Sequence, residues 1–287
     1  MVLLALMQAN AAVLDVAANC AAVDEAAAKA AAAGAHVLLT PELFPLGYAP
    51  RRIRAELDPD ALPSIRRTLA GIATRHGIAL VYSLPAVARD GGWQITATLV
   101  NAQGTELLSY AKVQLFGPEE RHAFVPADAP PAVVDFLGVP TSLVICYDVE
   151  FPETVRAAAV RGARLVLVPT ALSEGFDAVP QLLVRARALE NQVTVAYANH
   201  SGTEDVCDFL GGSVIAAPDG SLLAEAGPGP ELLFAEVPEP AAAEPDTGEP
   251  AAGDAADTGE PDVGGGAGAA VAYLADRRPE TYRSWGI

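Results

Sequence analysis

"LVICYDVEFPE", residues Leu143–Glu153, carries an apolar run into Cys146, turns polar, and reaches Pro152, a residue suited to the first turn of a helix. The stretch reads as a buried strand that ends on a thiol at a sharp turn. Such an arrangement needs either a packing reason or partners for a nucleophile, and the surrounding sequence has to supply one or the other.

Outward from this stretch, the pattern alternates. A strand over 139–145 leads into Cys146, followed by a helix over 152–161 closed by Gly162, a strand over 164–168, a helix over 177–191 and a strand over 193–198. "GGSVIAAPDGSLLAEAG" (211–227) predicts a hairpin around a Pro-Asp-Gly turn, and 231–237 a late strand. Toward the amino terminus, 2–8, 36–40 and 78–84 read as strands, and 14–34 and 60–76 as helices closed by Gly34 and Gly77. Residues 93–101 and 105–113 form a second hairpin pattern. Alternating strands and helices with hairpins predict a mixed α/β fold, and 1–237 shows no linker, so one domain is expected there.

The composition narrows the function classes. The 287 residues are 51% hydrophobic, enough for a large core, and no apolar run reaches the roughly 18 residues of a membrane span. "MVLLALMQAN" has no basic residue ahead of its apolar run, and Gln8 and Asn10 follow at once, so it reads as a first strand rather than a secretory signal. A net charge of −18 argues against nucleic acid and anionic membranes as partners. Cys20, Cys146 and Cys207 are sparse and form no C-x-x-C pair, which speaks against a disulfide framework or zinc site and fits a reducing cytoplasm.

Residues 238–270 break the pattern. They repeat "DTGEP" twice, and eight acidic residues fall between Glu239 and Asp262 with no basic one. With almost nothing to bury, this stretch is expected to be a mobile surface insertion rather than an acidic binding arm. Ordinary composition resumes over 271–287, which is read as returning to the main domain.

Three residues share one address. Glu42 follows the strand at 36–40, Lys112 ends the strand at 105–113, and Cys146 ends the strand at 139–145. The crevice beyond the carboxyl ends of such strands is where α/β sheets bind ligands. A carboxylate, an ammonium and a thiol gathered there could perform acyl transfer, the carboxylate taking the thiol proton and the ammonium steadying thiolate and oxyanion. Each has a plainer reading: an inert buried cysteine, a Glu42 helix cap, a Lys112 on a solvated face. Spacing alone does not bring them together. A cysteine–histidine hydrolase would instead need His122, read in a loop, or His200, read just past a strand. Cys20 reads as packing, and Cys207 as an incidental loop thiol.

"PELFPLGY", "YAKVQLFGPEER" and "ICYDVEFPE" resemble, in order and separation, the three signature segments of the nitrilase superfamily of carbon–nitrogen hydrolases. "VPTAL", "RARALENQVTVAYANHSG" and "FLGGSVIAAPDG" are similar too. The likeness covers 2–237, lapses across the acidic stretch, and resumes at "YLADRRPETY". It implies an αββα four-layer sandwich with a Glu42–Lys112–Cys146 triad, and a further glutamate at Glu120, with Glu119 the weaker claimant. It also implies association into a homodimer or larger homo-oligomer through helices 152–161 and 177–191. The chemistry would need no metal or organic cofactor. The backbone N–H of Tyr147 would join Lys112 at the oxyanion, and Tyr48, Ala171 and Leu172 fall where family pockets meet substrate. "CYDVEFPE" is similar to the amidase branch, so hydrolysis of a small carboxamide to carboxylate and ammonia through a cysteine thioester is expected. The alternatives are a nitrilase, an N-carbamoyl hydrolase, or an inactive scaffold that binds a partner through the acidic stretch.

Overall fold

In the computed structural model, residues 1–88, 91–238 and 273–286 are described. Five strands come from the first half: β1 (Leu3–Gln8), β2 (Val37–Leu39), β3 (Ala79–Val87), β4 (Trp93–Val100) and β5 (Glu106–Ala111). The second half adds β6 (Val133–Phe136), β7 (Val139–Leu143), β8 (Leu165–Pro169), β9 (Thr194–Ala198), β10 (Ser201–Glu204), β11 (Cys207–Leu210), β12 (Val214–Ala216), β13 (Leu222–Glu225) and β14 (Glu231–Glu236).

They form two six-stranded sheets, ordered β14-β1-β2-β3-β4-β5 and β13-β12-β9-β8-β7-β6, and a separate β10–β11 hairpin. Each large sheet has the same plan. Three parallel strands lie inside (β1, β2, β3 and β7, β8, β9), and antiparallel strands flank them. The central strands read as continuous apolar runs because both faces are covered: every residue of β2, β8 and β9 is buried.

Helices form the outer layers. The Asp15 carboxylate accepts the Ala18 N–H at 3.0 Å and starts α1 (Val16–Ala32), whose inner face of Val23, Ala26, Ala27 and Ala30 lets the helix approach closely. A seven-residue helix, α2 (Pro50–Glu56), precedes α3 (Leu62–His76). Helix α3 buries Leu62, Ile65, Leu69 and Ile72 at helical spacing and ends at Gly77, whose φ of +65° suits glycine. Each such Leu or Ile contributes about 1.5–3 kcal/mol by leaving water. Helices α1 and α3 cover the first sheet; α5 (Pro152–Ala159) and α6 (Val184–Asn191) cover the second, and α4 (Gly117–Ala123) follows β5. The expected four-layer αββα sandwich is therefore present.

Several local readings change. His122 lies on α4 rather than in a loop, and Cys207 opens β11. The helix expected over 177–191 begins with a π-helical turn at Val179–Leu183 containing Pro180, which has no N–H to give. Helices α2 and α4, strand β6 and the β10–β11 hairpin are four to seven residues long, too short to show a period.

The chain divides into two compact units, Met1–Pro238 and Glu239–Ile287. Within the second, α7 (Pro279–Ser284) is followed by Trp285, whose ring lies 5.4 Å from that of Tyr282. Apart from Pro238, the acidic stretch falls outside the described residues. Among the described residues, no helix is long and apolar enough to cross a membrane.

Candidate active site

The carboxyl ends of both sheets meet at one edge of the sandwich. Glu42 lies three residues beyond β2, Lys112 follows β5, and Cys146 lies three residues beyond β7. Backbone hydrogen bonds join the chain segments here: Glu42 N–H to Thr170 O, just past β8, at 3.1 Å, and Ser201 N–H of β10 to Ala9 O, just past β1, at 3.0 Å. No helix begins at Glu42, so the capping alternative is gone.

Glu42, Lys112 and Glu120 are all fully buried. Lys112 Nζ donates to Glu42 Oε1 at 2.8 Å and to Glu120 Oε1 at 2.7 Å, which removes the solvated-face alternative for the lysine. Burial alone would push the Lys112 ammonium toward neutrality. The Glu120 and Glu42 charges outweigh it and hold the lysine protonated, well above its ordinary range. Glu120 is itself held from three sides, by Lys112, by the Tyr48 hydroxyl at 2.7 Å, and by the Phe116 N–H at 2.7 Å. Glu119 points outward to Arg51.

Glu42 has a different balance. Burial raises its carboxyl to about 7 against the pull of Lys112, and Glu120 pushes the same way as burial. Its Oε1 is tied to Lys112, while its buried Oε2 has no hydrogen bond of ordinary geometry. The Cys146 thiol is nevertheless close enough for a sulfur contact to draw the carboxyl pKa down.

Cys146 is buried at a backbone φ of +46°, a left-handed conformation that costs a non-glycine residue about 1–3 kcal/mol. The following 3-10 turn, Cys146–Glu150, holds it there. Asp148 accepts Ile145 N–H at 3.2 Å, Gln114 N–H at 2.8 Å and Tyr110 O–H at 3.0 Å, tying the Cys146 turn to β5 and the residues after it. Arg187 on α6 donates to the carbonyls of Val149 at 3.0 Å and Glu150 at 2.7 Å. Burial and the Glu42 charge raise the Cys146 thiol far above its ordinary value, while Lys112 and the Ala171 N–H work against them. Burial therefore favours the thiol over the thiolate, with the Glu42 carboxyl nearby.

Tyr48 reaches Glu120, and Ala171 and Leu172 are buried just beyond β8. Tyr147 is half-buried, with its ring edge-on to Phe116 at 5.2 Å and to Phe151 at 4.9 Å. His200 does not reach the sulfur; its nitrogens face Glu204 and the Glu42 carbonyl. Asp148, Arg187 and Glu204 escaped the sequence reading, and His200 entered it only as the base of the cysteine–histidine alternative. Among the described residues, no cluster of His, Cys, Asp or Glu could hold a metal ion.

With this geometry in place, similarity to known proteins becomes informative. The crystal structure of an amidase from Nesterenkonia sp. superposes with a TM-score of 0.85 at 45% identity, covering 99% of this chain and 96% of that one. A glutamate-to-glutamine variant of the amidase from Nesterenkonia sp. AN1 matches with a TM-score of 0.86, at the same identity and coverage. It shows covalent addition of the acetamide moiety of fluoroacetamide at the active-site cysteine. A Pseudomonas protegens protein described as "Hydrolase in pqqF 5'region" is 36% identical over 271 residues, 94% of this chain and 86% of its own. Residues 3–244 match the family described as "Carbon-nitrogen hydrolase". A buried carboxylate–lysine–cysteine group at the joined ends of an αββα sandwich thus accompanies sequence likeness along most of the length, and the chain belongs to the carbon–nitrogen hydrolase family.

Proposed function

We propose that the protein is an amidase that hydrolyses a small carboxamide to carboxylate and ammonia through a thioester on Cys146. Glu42 takes the thiol proton as the sulfur attacks the amide carbon. Lys112 Nζ and the backbone N–H of Tyr147 hold the oxyanion; removing one such donor costs about 10²–10³ in kcat. Glu42 then passes its proton to the departing amine, and ammonia leaves. Water gives a proton to the same carboxylate, attacks the thioester, and releases the acid and the thiol. Glu120 keeps Lys112 in place, and Tyr48, Ala171 and Leu172 surround a small, partly apolar acyl group.

The observation that carries this reading is the buried Glu42 carboxylate, with one oxygen on Lys112 and the other unbonded beside a thiol. The named amidase neighbours and the acetamide adduct of one of them support the amide over the nitrile. We further propose a cytoplasmic homodimer joined through α5 and α6. Unpaired cysteines and the exposed Val160, Leu182 and Leu189 on or beside those helices support it. Ammonia release from matched small carboxamides and nitriles tests the function: turnover of the amides is expected, and turnover of nitriles alone would overturn it. Sedimentation of the full chain tests the dimer.

A further inference from the structure

His200 is fully buried just past β9, and both of its ring nitrogens face acceptors. Nε2 lies 2.6 Å from the backbone carbonyl oxygen of Glu42, and Nδ1 lies 2.7 Å from Glu204 Oε1. A carbonyl oxygen only accepts, so Nε2 carries a proton. Glu204 already accepts the Ala11 N–H on Oε1 at 2.7 Å and the Tyr48 N–H on Oε2 at 2.8 Å. A carboxyl group met by backbone donors on both oxygens is suited to the ionised form, which leaves the next proton on Nδ1. A neutral ring would set a bare lone pair against either the carboxylate or the carbonyl. The ring also stacks on Phe209 at 4.8 Å and lies near Phe44 at 5.6 Å, within the reach over which an aromatic face favours a cation. Burial would raise the Glu204 carboxyl, yet the His200 charge and the backbone donors hold it below its ordinary value.

This pair touches both carboxylates that flank Lys112. Glu42 is pinned at both backbone groups to segments just past strands of the second sheet, its N–H on Thr170 beyond β8 and its carbonyl under His200 beyond β9. Glu204 grips the Tyr48 backbone, and the Tyr48 hydroxyl holds Glu120. We propose that a doubly protonated His200 paired with Glu204 is the positioning device of the site, aiming Glu42 at the sulfur directly and Glu120 at Lys112 through Tyr48. Neither residue touches the reacting atoms. The proposal rests on Glu42 acting as the base of the proposed reaction.

Two measurements on the full chain test it. Nitrogen NMR of histidine-labelled protein, with the His200 signals identified by their loss in His200→Gln, should show both ring nitrogens protonated at neutral pH. A bare nitrogen would overturn the ion pair. Separately, His200→Phe keeps the ring stack but removes both donors. It is expected to lower kcat for a small carboxamide about 10²-fold, with KM changed less than about threefold, the scale of a misplacement near 1 Å. His200→Gln can present one N–H to the Glu42 carbonyl and should recover part of that loss. A folded Phe variant with full kcat, or a Gln variant no better than Phe, sinks the positioning role. If His200→Phe does not fold, the Gln variant is compared with wild type: unchanged kcat overturns the role, and reduced kcat at unchanged KM supports it. The remaining outcome is a wild type that hydrolyses no carboxamide. That last outcome would defeat the amidase reading and leave the NMR result to decide the pair.

Discussion

Cys20 and Cys146 are equally hidden, 6% and 5% exposed, and burial raises the pKa of both thiols. Their surroundings differ in every other respect. Cys20 sits on the Ala-rich α1, beside a surface cleft of ≈ 490 Å³ between α1 and α3 whose charged residues, Asp24 and Arg75, pair with each other. Cys146 sits on a left-handed turn, within electrostatic reach of Glu42, Lys112 and Glu120. The first is a cavity with a cysteine in it. The second has no need of a deep cleft to be recognised, because a buried base and a buried cation accompany the sulfur. Burial makes a thiol inert; only partners that can take its proton and hold the resulting charge make it usable.

The largest expected effect separates the two sulfurs. Cys146→Ala should lower amide hydrolysis by at least about 10⁴-fold while the protein stays folded. Next comes Glu42→Gln, expected to cost about 10²–10⁴ in kcat at nearly unchanged thermal stability. Full activity in either variant, by steady-state ammonia release, would erase the distinction between the two cysteines.

Lys112→Met sharpens the comparison from the side of stability. It leaves Glu42 and Glu120 as buried carboxylates without their shared cation, a loss expected to reach about 3–5 kcal/mol in denaturant unfolding. An unchanged midpoint would mean that the cation is not what holds the site together.

The pH dependence follows from Glu42. Only its ionised form accepts the thiol proton, so kcat/KM should fall as pH drops, with an apparent midpoint about 7, where Glu42 titrates. Its folded pKa lies above its ordinary 4.5, so its contribution to stability is present below that value and is lost as pH rises through about 7. A flat rate profile between pH 5 and 8 would remove Glu42 from the role of base. The smallest effect belongs to Cys20→Ala: kcat within error of wild type, and a stability change of about 1 kcal/mol.

Much of the sandwich was legible because its parts repeat with a period. The apolar runs that became β1, β3, β8 and β9, and the helical spacing of α3, are local signals. Gly77 and Gly162 mark helix ends through conformations that glycine adopts without strain. Glu42, Lys112 and Cys146 were legible as chemistry at strand ends, and the order of three motifs gave them a family. Asp148, Arg187 and Glu204 were not legible, nor was the part His200 plays here, since each owes its role to a partner far away in sequence. Arg187 grips carbonyls 38 and 37 positions earlier, and His200 grips one 158 positions earlier.

The amino-acid sequence by itself determined the longer secondary elements, the acidic break after residue 237, and which side chains could do the chemistry. Only the tertiary structure decided that the carboxylate, the ammonium and the thiol meet in one dry place, and that a buried histidine–glutamate pair stands behind them. The physical reason is range. Propensity and periodicity act over a few residues, whereas desolvation and charge pairing depend on which distant segments the packed sheets bring within about 3 Å of one another.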